Sequence, residues 1–263
     1  MTFERWRATG REIAVLGLAK SGIAATRLLR KHGLPVYASD AAGGAELEAP
    51  AAPLRASGAA VELAGHDLAR ITRAAAVVVS PGVPPDAPPL RAAREAGVEV
   101  SSEVDVGWAA MTGVRYAVIT GTNGKTTTTA LAGHLLSACG VRAVTAGNIG
   151  RPLSEVALET PSPEWVALEI SSFQLHDTHY LVPDVGVLTN LAPDHLDRYP
   201  SLADYYADKA RLFLRAGPGS YWVTNADDPE TQRLAAGASG SQAQFSVRGP
   251  ATAWYDRAAQ TLK

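Results

Sequence analysis

Apolar residues in the first part of the chain fall into short runs separated by stretches of helical period, a pattern that predicts a parallel sheet covered by helices. Residues 12–16 (EIAVL) form an apolar run that stops at Gly17. Residues 21–32 then carry Ile23, Leu28 and Leu29 at near-helical spacing before Gly33, which reads as strand, turn and helix. Residues 35–39 predict a second strand closed by Asp40, whereas residues 41–53 are rich in Ala, Gly and Pro and show no period. Val77, Val78 and Val79 make a buried-strand run ended by Ser80-Pro81-Gly82, followed by a short helix over 88–97 and a strand over 98–100.

The pattern starts afresh at Gly113. Residues 114–120 are strand-like and 121–124 form a tight loop. Residues 126–139 place Leu131, Leu135 and Leu136 on one helical face, with Gly140 as the C-cap. Further strands are expected over 141–145, 165–170, 185–189 and 221–224, with a helix over 202–214, and the last twenty residues predict no element. The fold class is α/β: a Rossmann-like parallel-sheet domain over residues 1–113, then a phosphate-loop ATPase-type α/β domain over 114–263 that is incomplete at its C-terminal end.

Composition narrows the partners. Lys plus Arg number 24 against 26 Asp plus Glu, a formal charge of -2, so no general attraction to nucleic acid or anionic membrane is expected. The single cysteine, Cys139, forms no internal disulfide and suits a reducing compartment. No secretory leader is visible and no run of 18 apolar residues occurs, so a cytoplasmic monomer is the expectation.

The strongest chemical signal is Gly121-Thr122-Asn123-Gly124-Lys125-Thr126-Thr127, set between an apolar strand and a helix. Backbone N–H groups at a helix start can cradle phosphate oxygens, Lys125 adds a point charge, and the hydroxyl of Thr126, read as the first helical residue, suits a magnesium ion on the phosphates. The spacing is shortened, since Gly121 lies only three residues before Gly124. Glu169 ends one predicted strand, and His195, flanked by Asp194 and Asp197, follows another; ligand groups in open α/β sheets gather at such carboxyl ends. Taken singly, Glu169 reads equally as a helix-capping carboxylate, His195 as a structural histidine and Lys209 as a solvated helix lysine.

The motifs taken in order resemble the Mur ligases: GTNGKT at 121–126, Asn148-Ile149-Gly150, the strand end EISSFQL at 169–175, DHLDRY at 194–199, and Lys209. The strand end is most similar to the branch of that family that adds D-glutamate to UDP-N-acetylmuramoyl-L-alanine in peptidoglycan precursor synthesis. The resemblance implies that the γ-phosphate of ATP goes to the substrate carboxylate, giving an acyl phosphate from which the D-glutamate amine displaces phosphate. It further implies two Mg²⁺ ions, the first held by Thr126 and Glu169 and the second with His195. Lys209 matches the family lysine that reacts with carbon dioxide to give a carbamate metal ligand. Asn148 and Ser171 are implied at the muramoyl substrate.

In the first domain, Gly17-Leu18-Ala19-Lys20-Ser21-Gly22 is a degenerate dinucleotide fingerprint with Ala19 in place of the middle glycine, and Asp40 closes the next strand. By resemblance this turn holds the UDP part of the substrate. Lys20 and Ser21 then face the diphosphate, Asp40 lies near the uracil, and Ser80 with Gly82 forms the rim. The family's third domain has no counterpart in the sequence, so an inactive or partial ligase is expected, one that binds the UDP-substrate, binds ATP only weakly and makes no product. The alternatives are a nicotinamide-dependent oxidoreductase on the first domain, a nucleotide-binding module without catalysis, and another Mur-type or folylpolyglutamate ligase. A dehydrogenase has no need of the loop around Lys125.

Overall fold

The computed structural model describes residues 2–194 and 198–263. The chain divides into two compact units. The first comprises the residues up to Thr112 together with Gly150–Ser162 and Asp177–Tyr180, and the second comprises the remainder.

The first unit is built on β1 (Ile13–Leu16), β2 (Val36–Asp40), β3 (Ala60–Leu63), β4 (Ala76–Val79) and β5 (Glu99–Ser102), all parallel in the order β3-β2-β1-β4-β5. Successive residues of a strand face opposite sides, and both sides are apolar here because helices cover both. Ile13 and Val15 pack with Trp6, Leu28 and Leu29 on one side, while Ala14 and Leu16 pack with Tyr37, Ile71 and Leu90 on the other. The helix Lys20–Lys31 starts against the turn after β1, and Gly22 is required there: a Cβ would stand 1.8 Å from the carbonyl oxygen of Gly17.

Several elements of this unit escape the sequence pattern, among them β3, whose residues are only partly buried. Thr2–Ala8 anchors the chain through buried Phe3 and Trp6. Ala45–Ala56 runs through the stretch that showed no period, because it carries Pro50 and Pro53 inside and buries only Ala51 and Leu54. Another helix, Glu103–Ala110, binds the two returning segments. Glu103 accepts the N–H of Ser154, and Asp105 accepts those of His179 and Tyr180 at 2.7 and 2.9 Å. Ser102 adds a backbone bond to Asp177 at 2.7 Å and a hydroxyl contact to Thr178 at 2.7 Å. Burial pushes the Glu103 carboxyl up to about 7, and its second oxygen has no hydrogen-bond partner among the described residues.

In the second unit, β6 (Arg115–Thr120), β7 (Ala143–Gly147), β8 (Trp165–Glu169), β9 (Val185–Leu188), β10 (Tyr221–Asn225), β11 (Ser241–Ser246), β12 (Ala253–Asp256) and β13 (Thr261–Leu262) lie in the order β13-β12-β11-β10-β9-β6-β8-β7. All described pairings are parallel except β12 with β13. The register places Ile119 beside Glu169 and Thr120 beside Leu188, so the tips of β8 and β9 flank the loop leaving β6. The last three strands and the helix Pro229–Ala235 were not foreseen; β11 (SQAQFS) is largely polar, and β12 (AWYD) and β13 (TL), toward the end of the sheet, are too short to show an apolar alternation.

The helix after the loop spans Lys125–Ala138, one residue earlier than the sequence suggested, so Thr126 is its second residue. The leucine face also needs correction, because Leu131 and Leu135 are each 54% exposed, while Thr129 and Gly133 are buried. The sheet takes the small side of this helix: a Cβ on Gly133 would stand 2.5 Å from the Thr145 methyl.

Candidate functional site

The first unit has a cavity of about 620 Å³ at the carboxyl ends of β1, β2 and β4, where the strand order reverses direction. Gly17, Ala19, Asp40, Ser80 and Gly82 line it, and Val83, Pro84 and Pro89 supply an apolar wall. Asp40 also shapes it, accepting the N–H of Leu18 at 2.6 Å and that of Ala42 at 2.8 Å, one on each carboxylate oxygen. The Ser80 hydroxyl donates to the carbonyl of Gly17 at 2.8 Å. Lys20 and Ser21 open the helix next to Ala19 but do not line the cavity.

In the second unit the loop 121–127 is fixed from β9. Asn190 accepts the Thr122 N–H through its carbonyl at 2.9 Å and the Asn123 N–H through its side chain at 3.0 Å. The Thr189 hydroxyl donates to the Asn123 carbonyl at 2.7 Å. The chain passes so close to Thr189 that a Cβ on Gly121, which has φ of 144°, would fall 1.9 Å from its hydroxyl. The N–H groups of Thr122 and Asn123 are therefore used inside the protein. The helix that follows Gly124 has no side-chain cap, which leaves the first-turn N–H groups of Lys125, Thr126 and Thr127 pointing toward any anion at its start.

Lys125 donates to the carbonyls of Gly121 and Thr122 at 3.1 and 2.8 Å. Lys209 is not a solvated helix lysine. It is buried, its ammonium nitrogen donates to the Gly121 carbonyl at 2.7 Å, and it lies 4.7 Å from the centroid of the Tyr205 ring. Burial, reinforced by the charge of Lys125, pushes its amine down to about 7. Lys125, Asn148, Ser171 and Lys209 share a cavity of about 190 Å³ with Ser172, Phe173 and Tyr205. Glu169 is buried behind Asn148, whose side-chain amide donates to its carboxylate at 3.1 Å. Ser171 is held by Gln174, whose side-chain oxygen accepts both its N–H and its hydroxyl at 3.0 and 3.1 Å.

The sequence profile of the Mur ligase middle domain matches residues 119–262, more than half of the chain. The chain belongs to the Mur ligase family. Residues 11–102 match that family's MurD-like N-terminal domain. The UDP-N-acetylmuramoylalanine–D-glutamate ligase of Myxococcus xanthus (strain DK1622) is 43% identical over 241 residues, 92% of this chain and 53% of that protein. The protein of the same name from Frankia casuarinae is 43% identical over 238 residues, 90% of this chain and 50% of that protein. The chain spans about half the length of the curated relatives it matches. Among solved structures, UDP-N-acetylmuramate:L-alanyl-gamma-D-glutamyl-meso-diaminopimelate ligase from Neisseria meningitides is similar with a TM-score of 0.58 at 17% identity, covering 89% of this chain and 78% of its own, a likeness of fold.

Of the residues that the Mur ligase resemblance singled out, Lys125, Asn148, Ser171 and Lys209 share one cavity, Glu169 touches it through Asn148, and Thr126 and Thr127 stand exposed on the first helical turn. His195 and Asp197 lie outside the described residues. Sequence reasoning missed Ser172, Phe173 and Tyr205; the first two sat inside the quoted motif, and Tyr205 stands one helical turn before Lys209, a spacing that could have shown it. It also missed His66, which lines the first unit's cavity. Among the described residues no group of three or more His, Cys, Asp or Glu is arranged to hold a metal, and no helix is long and apolar enough to cross a membrane.

Proposed function

We propose that this chain carries the UDP-substrate unit and the ATP-phosphate unit of a ligase that joins D-glutamate to UDP-N-acetylmuramoyl-L-alanine. The observation that carries the reading is the uncapped helix start beside two lysines that share the Gly121 carbonyl, on the rim of a cavity lined by Asn148 and Ser171. A carboxylate is a poor electrophile, and phosphorylation by ATP turns one of its oxygens into a leaving group that an amine can displace. Lys125 and the first-turn N–H groups hold the phosphates and neutralise charge that builds on the transferred group. Asn148 and Ser171 orient the muramoyl end, and Asp40, Ser80 and Gly82 shape the seat of the uridine diphosphate with Lys20 and Ser21 at its edge.

The residues present fit magnesium. Glu169 is a buried carboxylate whose described hydrogen-bond donor is a neutral amide, leaving its charge for a cation to balance, and the Thr126 hydroxyl completes an oxygen donor set. Magnesium ions at Thr126 and Glu169, and at His195 with Lys209, would supply positive charge at the phosphoryl oxygens. At its depressed value Lys209 is in good part the neutral amine near pH 7. That form can attack the carbon of carbon dioxide: the N–C bond forms as one C=O π bond opens onto its oxygen, an N–H proton leaves to solvent, and the neutral amine becomes an anionic oxygen ligand. An unmodified ammonium would repel the metal.

Calorimetric titration of the protein with UDP-N-acetylmuramoyl-L-alanine tests this reading. Binding that UDP displaces, with none for NADH, is expected. Tight NADH binding without binding of the UDP-sugar would overturn it.

A further inference from the structure

We propose that His66 is a binding residue for the nucleoside end of the substrate, offering its Nε2 to the base or ribose in the cavity of the first unit; this rests on the reading of that cavity as the UDP seat. Three polar side chains line the cavity: Asp40, Ser80 and His66. The first two are already engaged, Asp40 through both oxygens with the backbone at Leu18 and Ala42, and Ser80 with the Gly17 carbonyl. His66 differs. Its Nδ1 meets the hydroxyl of fully buried Ser39 at 2.8 Å, and Nε2, on the far side of the ring, has no protein partner among the described residues.

The backbone around His66 is held in place for this. Ala64 adopts φ of 62°, an uncommon left-handed conformation for a residue with a side chain, and its N–H is bound to the Ala42 carbonyl at 2.9 Å. The Gly65 N–H is bound to the Asp40 carbonyl at 3.1 Å, and the Asp67 N–H to the Tyr37 hydroxyl at 2.7 Å. Tyr37 in turn donates to Glu62 at 2.6 Å. The loop is thus tied to the tip of β2 on both sides of the imidazole, and Ser39 fixes the plane of the ring.

The chemistry favours a nucleoside over a phosphate. Burial holds the His66 ring below the usual histidine range, so at neutral pH it is uncharged and carries one donor and one acceptor nitrogen. Such a group suits the carbonyls, imide N–H and hydroxyls of a uridine, whereas a diphosphate calls for cations or a helix start. The wall of Val83, Pro84 and Pro89 adds an apolar surface on which a flat base can rest.

The test is calorimetric titration of UDP and of inorganic pyrophosphate into the wild-type protein and into His66→Asn, His66→Gln and His66→Ala. The Asn amide reaches the place of Nδ1 and keeps the Ser39 contact, whereas the Gln amide reaches the place of Nε2. Expected are about tenfold weaker UDP binding for His66→Asn and His66→Ala, a change within about threefold for His66→Gln, and unaltered pyrophosphate binding in all. Imidazole ¹⁵N spectra of the wild type are expected to show the Nε2 resonance of His66 moving on UDP addition and not on pyrophosphate addition, a readout that needs no variant to fold. UDP binding by wild type with equal affinity in His66→Asn, or an Nε2 resonance that ignores UDP, would overturn the role of His66 alone. A wild-type protein that binds no UDP would overturn the underlying reading and this proposal together.

Discussion

Lys125 and Lys209, 84 positions apart in sequence, place their ammonium nitrogens 3.1 and 2.7 Å from the same acceptor, the carbonyl oxygen of Gly121. Two cations on one carbonyl repel each other, and the buried one yields: the Lys209 amine falls to about 7 through desolvation first and through Lys125 second. Replacing Lys125 by Met removes only the second cause. The Lys209 titration, followed by its ¹³Cε shift, is therefore expected to move upward from about 7 while staying below 10.5. An unmoved midpoint would show that the two charges do not interact.

Lys209 is also expected to be indispensable to chemistry. If the proposed ligase reaction holds, Lys209→Ala is expected to lose most turnover, and added short carboxylates to restore part of it by standing in for an anionic metal ligand. Turnover equal to wild type would remove Lys209 from the mechanism.

Glu103 links stability to pH. Its folded-state value, about 7, lies above the 4.5 of an exposed glutamate, so the folded state holds the proton more tightly. The stabilising contribution is complete below about pH 4.5 and is lost as pH rises through 7. Glu103→Gln keeps an acceptor for the Ser154 N–H and cannot ionise. Urea unfolding is expected to show the variant gaining on wild type between pH 5 and pH 8, by on the order of 2–3 kcal/mol at the upper end. A difference that stays constant across that range would mean Glu103 titrates normally.

Gly121→Ala places a methyl group on the Thr189 hydroxyl and asks an alanine to hold φ of 144°. A loss of about 2 kcal/mol or more in unfolding free energy is expected, together with weakened nucleotide binding. Wild-type stability in this variant would show that the loop relaxes freely away from β9.

Four strands of the first unit's sheet were legible because strands buried on both faces read as apolar runs, as at Val77, Val78 and Val79, whereas the half-buried β3 carries no such run. The loop 121–127 was legible because its residue types and its place between strand and helix carry the chemistry locally. What stayed hidden depends on contacts between distant positions. Leu131 and Leu135 look like a packing face, yet Thr129 and Gly133 are the residues that fit against the sheet. Glu103 and Asp105 belong to no motif, yet they bind backbone N–H groups of segments that return from far along the chain. His66 sits in no motif, and only the fold brings it to Ser39 and the cavity.

If the start of the helix Lys125–Ala138 receives the phosphates of ATP, titration of the protein with MgATPγS must depend on Lys125. Wild type is expected to bind and Lys125→Met to lose at least about tenfold in affinity while its binding of UDP-N-acetylmuramoyl-L-alanine is unchanged. MgATPγS binding that is indifferent to Lys125, or a loss of both ligands together, would mean that the phosphates are not held at this helix start.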